Sequence, residues 1–236
     1  MSDLSSLPRG GVAVVFGASG GVGSALVEQL RASECFAQVV GLSRRSAPRF
    51  DLTDEASIAN AVAQVAALGD LRLVIDATGF LHDEAQSPEK SLRDLDAGKL
   101  ARAFALNAIG PALLMKHALP ALAPNGKAVF ATLSARVGSI GDNHLGGWYG
   151  YRASKAALNQ LVRTAAIELK RRRPAALCVA LHPGTVRTEL SSPFSKDGLE
   201  VQTPQTSAAR LLGVIDGLNA DQSGEFFDHL GVAIPW

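Results

Sequence analysis

Tyr151 and Lys155 lie four residues apart within the stretch GGWYGYRASKAALN, residues 146–159. On a helix that spacing sets a phenol and an ammonium one turn apart on the same face. A phenol ordinarily titrates near pH ~10. A neighbouring cation favours the phenolate and brings its proton into use closer to neutral pH. The pair therefore reads as a proton donor with a tuning cation. The other tyrosine, Tyr149, would need its lysine at position 153, which is Ala153. Tyr149 is assigned instead, with Trp148, to a pocket wall. Taken alone, such spacing more often marks a surface pair; what precedes it in the chain decides.

What precedes it is a glycine-rich turn. Gly17, Gly21 and Gly23 stand between the apolar run Val12–Phe16 and a helical pattern from about Val22 to Arg31. Glycine permits positive φ and close approach of backbone to ligand. The helix start behind it offers free N–H groups to a pyrophosphate. Gly17, Ser19, Gly20, Gly21, Val22 and Gly23 are thus candidate cofactor contacts. The spacing is G-x-x-x-G-x-G, and its strand–turn–helix setting is the one a dinucleotide requires. The next predicted strand, Gln38–Leu42, ends in Ser43, Arg44 and Arg45 with no carboxylate. An acid there would hold the ribose hydroxyls of NAD; arginine forks suit the extra phosphate of NADP(H).

These residues need a scaffold. Short apolar runs at 12–16, 38–42, 71–75, 127–133, 177–181 and 224–228 predict strands. Between them, helical patterns cover DLTDEASIANAVAQVAAL, capped by Thr53 or Asp54, then 99–122, 151–172 and 206–218. The second of these should break or bend near Gly110 and Pro111. The third carries an apolar stripe of Leu158, Leu161, Val162, Ala165, Ala166 and Leu169. The alternation predicts an α/β fold: a doubly wound, mostly parallel sheet with helices on both faces. No linker or composition shift divides the chain, so residues 1–236 read as one domain. The polar loop at about 185–204 is a candidate substrate loop.

Composition narrows the function classes. The net charge is +1, which argues against a nucleic-acid binder. The basic run Lys170 to Arg173 closes a predicted helix before Pro174, where cations suit the helix end. Cys35 and Cys178 form no metal or redox spacing and read as buried thiols of a reducing compartment. The five histidines show no paired ligand spacing, so no metal is expected. The first residues lack the apolar core of a signal peptide, and no apolar run reaches membrane-spanning length. A cytoplasmic protein without membrane contact is expected.

The glycine turn, the Y-x-x-x-K pair and HPGTVRT (His182 to Thr188) together resemble the short-chain dehydrogenase/reductase family over essentially the whole chain. GGWYGYRASKAALN and the ending GEFFDHLGVAIPW are similar to its C-factor and sniffer-type carbonyl reductases. The resemblance implies that Tyr151 exchanges a proton with a carbonyl oxygen and that Lys155 binds the nicotinamide ribose and tunes the phenol. It implies that Asn107 holds a water linking the lysine to solvent. Asp51 and Leu52 would lie beside the adenine, and Ala77 and Gly79 at the cofactor. Pro183, Gly184, Val186 and Thr188 match the segment that grips the carboxamide. Family members are often dimers or tetramers, which makes a homo-oligomer compatible with the resemblance.

Two positions depart from the family pattern. Asn-Asn-Ala-Gly after the family's fourth strand is here Asp76, Ala77, Thr78, Gly79. The serine that positions the substrate, followed by two residues and a glycine, is here Ala135, ahead of Arg136, Val137 and Gly138. Ser134, Ser139 or no serine could serve instead. Ser134 is preferred, although strand neighbours point to opposite sides and the backbone would have to turn there. The expected activity is NADPH-dependent reduction of a small aldehyde or ketone, with Leu145, Trp148 and the 185–204 loop shaping an apolar pocket. The two departures motivate a competing reading, a non-catalytic NADP(H)-binding sensor or signalling protein. Binding alone needs no phenol, and the retained Tyr151–Lys155 pair speaks against it.

Overall fold

Val12–Phe16 forms strand β1, buried at every position, as an unbroken apolar run between two helix layers should be. The computed structural model describes residues 3–191 and 201–236. After β1 come α1 (Gly21–Ala32), β2 (Gln38–Leu42), α2 (Glu55–Ala66), β3 (Leu71–Asp76), α3 (Ala97–Phe104) and α4 (Gly110–Ala121). Then follow β4 (Ala128–Leu133), α5 (Tyr149–Arg172), β5 (Ala176–His182), β6 (Thr185–Val186), β7 (Val201–Gln202), α6 (Pro204–Gly217) and β8 (Phe226–Asp228). Six strands make one sheet in the order β2-β1-β3-β4-β5-β8. Every pairing in it is parallel. The expected doubly wound architecture is therefore present. The chain reverses its direction of travel at β1, and a cleft opens beyond the strand ends at such a switch point.

Alternate strand residues feed two cores. Val12, Val14, Phe16, Phe130, Cys178 and Ala180 pack toward α2, α4 and α5. Ala13, Val15, Val129, Ala131, Leu177 and Val179 pack toward α1 and α6. Both cysteines are free and buried. Helix α2 is capped by Asp54, whose carboxylate accepts from the Ala56 and Ser57 N–H groups, which decides between the two capping candidates. The stripe on α5 holds at Leu158, Val162, Ala166 and Leu169, whereas Leu161 sits on the exposed flank.

The break expected near Gly110 and Pro111 takes a specific form. Ala105–Ile109 widens into a π turn, and the Gly110 N–H donates to the Ala105 carbonyl five residues back. Pro111 has no N–H to give to Asn107, and the wider turn absorbs that loss. The candidate substrate loop is anchored by the short β6–β7 pair, and residues 192–200 within it lie outside the described residues. Among the described residues, no helix is long and apolar enough to cross a membrane.

Candidate active site

The glycine turn sits at the carboxyl end of β1, at the switch point. Gly17 has φ +84°, and a Cβ there would lie 2.8 Å from the Ala77 carbonyl oxygen. A Cβ on Gly23 would meet the Gly17 carbonyl oxygen at 2.2 Å. Only glycine lets the turn fold back this tightly. Gly20 caps α1 without a side-chain hydrogen bond, so the first-turn N–H groups of α1 remain available to a phosphate. Ser19, Gly20 and Gly21 are exposed and Val22 half-buried. A Cβ on Gly21 would touch the Thr188 side chain at 2.8 Å, which brings the P-G-x-x-x-T segment to the same turn. Gln202 Nε2 and Ser207 Oγ both donate to the Pro183 carbonyl, at 2.7 and 2.8 Å, while Gly184 turns the chain with φ +79° and Val186 is buried.

A groove of about 770 Å³ runs from this turn along α1, lined by Ala18, Ser19, Arg31, Gly41 and Ser43 among others. Arg44 and Arg45 stand exposed beside Ser43, and neither forms an ion pair among the described residues. Arg31, also facing the groove, is a cation that the motif reading missed. Asp51 accepts from Thr53 and Arg49, and these bonds hold its carboxyl below the usual range. Leu52 is buried against Gly110.

The catalytic candidates gather around α5. Tyr151, Lys155 and Asn159 follow one another at helical spacing along the face toward β4. Lys155 is buried and its Nζ donates to the Leu133 carbonyl at 2.8 Å. Gly79 lies across from it, close enough that a Cβ would be 3.8 Å from Nζ. The Tyr151 hydroxyl makes no hydrogen bond to the protein among the described residues, so its proton is free for a ligand. Crowding pushes the phenol up to about 12 although part of the ring stays exposed. Loss of water pushes Lys155 down to about 8, with the Asp76 carboxylate pulling it back upward. A lowered phenol was expected from the Tyr151–Lys155 spacing; burial is the cause that acts on the ring, and it acts upward.

Asn107 stands on the π turn. Its Oδ1 accepts from the Phe80 N–H at 2.8 Å, and its Nδ2 donates to the Phe80 carbonyl at 2.8 Å and to Ser154 Oγ at 3.1 Å. It thus fixes the chain after Gly79 against α5. Ser134 is buried and gives its hydroxyl proton to Asn159 Oδ1 at 2.6 Å. The preferred serine is therefore directed along α5, one turn beyond Lys155 from Tyr151. Ser139, buried as well, accepts from the Asp142 N–H at 3.1 Å. Leu145 is 86% exposed, whereas the Trp148 ring meets Tyr151 edge-on at 6.2 Å.

Two supporting residues escaped the motif reading. Asn159 joins Ser134 to the Gly138 carbonyl at 3.4 Å and steadies the loop after β4. Glu89 is buried, and its carboxylate accepts from the Gly150 N–H at 3.0 Å. Trp148, the residue before α5, is in the left-handed region and offers no side-chain cap. Glu89 supplies that cap from a distant loop and so holds the turn that presents Tyr151.

Residues 17–215 match the family described as Enoyl-(Acyl carrier protein) reductase. The chain belongs to the short-chain dehydrogenase/reductase family, as the motifs implied. It is an oxidoreductase of that family. It is 40% identical over 147 residues to a C-signal protein of Myxococcus xanthus, covering 62% of this chain and 84% of that one. It is 32% identical over 191 residues to a 1-hydroxy-2-glutathionyl-2-methyl-3-butene dehydrogenase of Rhodococcus sp., covering 80% of this chain and 79% of the other. Its fold is similar to an NADPH-bound carbonyl reductase from chicken fatty liver, with TM-score 0.82 and 25% identity over 99% of this chain and 98% of that one. The Drosophila melanogaster carbonyl reductase Sniffer shares the fold at TM-score 0.82 and 23% identity, over 97% and 100% of the two chains.

Proposed function

We propose that this protein is an NADPH-dependent reductase of small aldehydes or ketones, with Tyr151 as general acid. One observation carries the reading: an unbonded phenol and a buried ammonium share the face of α5 beside the strand ends where the glycine turn opens.

The residues fit a dinucleotide. The tight glycine cradle and the uncapped start of α1 suit a pyrophosphate, and the unpaired Arg44 and Arg45 suit a 2′-phosphate. Ser19, Ser43, Asp51, Leu52, Ala77, Gly79, Pro183, Gly184, Val186 and Thr188 complete the proposed contact set. Such a cofactor, when bound, supplies the hydride for a carbonyl carbon. Tyr151 gives its phenolic proton to the carbonyl oxygen, and the Lys155 ammonium stabilises the phenolate left behind. Lys155 spends one proton on the Leu133 carbonyl and has two left for ribose hydroxyls. Asn107 keeps the floor under this pair in register. With Ala135 where the family has serine and Ser134 bonded to Asn159, Tyr151 carries the orientation of the carbonyl; Ser134 joins only by exchanging Asn159 for substrate. We place this activity in the cytoplasm, on a small-molecule substrate.

Tyr151→Phe tests the assignment. Turnover should fall by about 10²- to 10⁴-fold, the usual worth of a positioned acid, with NADPH affinity nearly unchanged. Equal turnover in the variant would remove Tyr151 from the chemistry. The competing sensor reading draws on Ala135 and Asp76 and predicts NADPH binding without turnover in the wild-type protein.

A further inference from the structure

Asp76 ends β3 directly beneath the catalytic pair, and the mechanism above leaves it unused. Its side chain is wholly buried. Three donors converge on it: the Thr78 N–H at 3.0 Å, Thr78 Oγ1 at 2.5 Å and Thr132 Oγ1 at 2.8 Å. Donors on both oxygens suit an ionised carboxylate, which accepts only. An isolated ion at such a depth is destabilising unless a counter-ion stands near.

Lys155 is the cation that the fold places to serve as one, although the two form no direct ion pair. Asp76 and Thr132 are direct partners across the β3–β4 ladder. The next β4 residue, Leu133, accepts the Lys155 ammonium through its carbonyl. On the other side, Thr78 precedes Gly79, whose position lies against Lys155 Nζ. The ammonium therefore sits one residue from the Asp76 donors on each flank. The other polar side chains of this part of the site carry no charge: Thr132 on β4, bonded to Asp76, and Asn107 on the π turn, bonded to Ser154 on α5. Asp76 is the charged group acting on Lys155, and the attraction pulls the lysine upward against burial. Burial pushes the Asp76 carboxyl upward in turn, with the Thr78 and Thr132 bonds and Lys155 opposing it.

We infer that Asp76 is a positioning residue that keeps Lys155 protonated inside the protein and so sets the alkaline limit of the Tyr151–Lys155 pair. The inference deepens the proposed function and rests on that reading for its consequence in turnover, though not for the charge coupling itself. Removing the negative charge leaves Lys155 with desolvation alone. The lysine then loses its proton at lower pH, and with it the stabilisation of the phenolate.

The test is an NMR titration of the lysine side chains in the cofactor-free protein, with the Lys155 signal assigned by its absence from Lys155→Met. Asp76→Asn is nearly isosteric; its Oδ1 still accepts from Thr78, and the Thr132 hydroxyl can turn to accept from Nδ2. Lys155 should titrate about one to three pH units lower in Asp76→Asn than in the wild type, the range for loss of an adjacent opposite charge. Thr132→Val, which removes one donor but keeps the carboxylate, should leave Lys155 within about half a unit of wild type and confirms that the shift follows charge rather than packing. Coincident titrations in the wild type and Asp76→Asn would overturn the inference. Should Asp76→Asn fail to fold, an unshifted lysine signal in Asp76→Ser would overturn it equally. If carbonyls are turned over, the alkaline limb of kcat/KM should move in step with the NMR shift. An absence of turnover would strike the proposed function while the titration still decides the coupling.

Discussion

The two halves of the cleft are built on different principles. The nucleotide half, β1 through β2, is made of backbone: tight glycines, uncapped N–H groups and exposed arginines. The proposed catalytic half, around β3, β4 and α5, is made of buried polar side chains tied to their neighbours: Asp76 to Thr78 and Thr132, Asn107 to Ser154, Ser134 to Asn159, and Lys155 to the Leu133 carbonyl. A backbone cradle is ready for its ligand once the chain turns correctly. A buried polar network works only if every member finds its partner, since each orphaned group costs about 1–3 kcal/mol. The first half should therefore fail through lost affinity, and the second through lost turnover or stability.

The strongest way to break this contrast is Gly23→Ala. The added methyl would lie 2.2 Å from the Gly17 carbonyl oxygen, so the turn must open. The strain is about 3 kcal/mol, at the upper end for an overpacked site. NADPH affinity by isothermal calorimetry should drop on the order of a hundredfold, with the Lys155 environment unchanged by NMR. Unaltered affinity would show that the turn does not hold the cofactor. Next in size, Glu89→Ala leaves the buried Gly150 N–H without its acceptor and should cost about 2 kcal/mol in urea unfolding. Glu89→Gln keeps an acceptor and should recover most of that loss; equal losses in both would assign the effect to packing. The smallest effect is Arg44→Ala. It should reduce the preference for NADPH over NADH about tenfold, the worth of one charge-assisted contact to phosphate, without changing stability.

Much of the first half was legible in the chain. Glycines at fixed spacing after an apolar run state where backbone must turn and approach a ligand, and Arg44 and Arg45 follow the next strand within a few residues. The Tyr151–Lys155 pair was legible for the same reason, because helical geometry acts over four residues. What escaped involves partners far apart in sequence. Glu89 meets Gly150 across 61 residues, and Ser134 meets Asn159 across 25. No local periodicity encodes such pairings. Ser134, the residue just after β4, turns its hydroxyl to Asn159 on α5, a pairing across the fold. The raised phenol was equally out of reach, since desolvation depends on how closely the rest of the chain closes around a group.

The most direct measurement is NADPH consumption by the wild-type protein against a panel of aldehydes, ketones and quinones, with the alcohol product quantified. The account predicts NADPH oxidation matched one to one by alcohol for at least one carbonyl class, with NADH a poorer donor. Tight NADPH binding without consumption across the panel would contradict it and leave a dinucleotide-binding protein in place of a reductase.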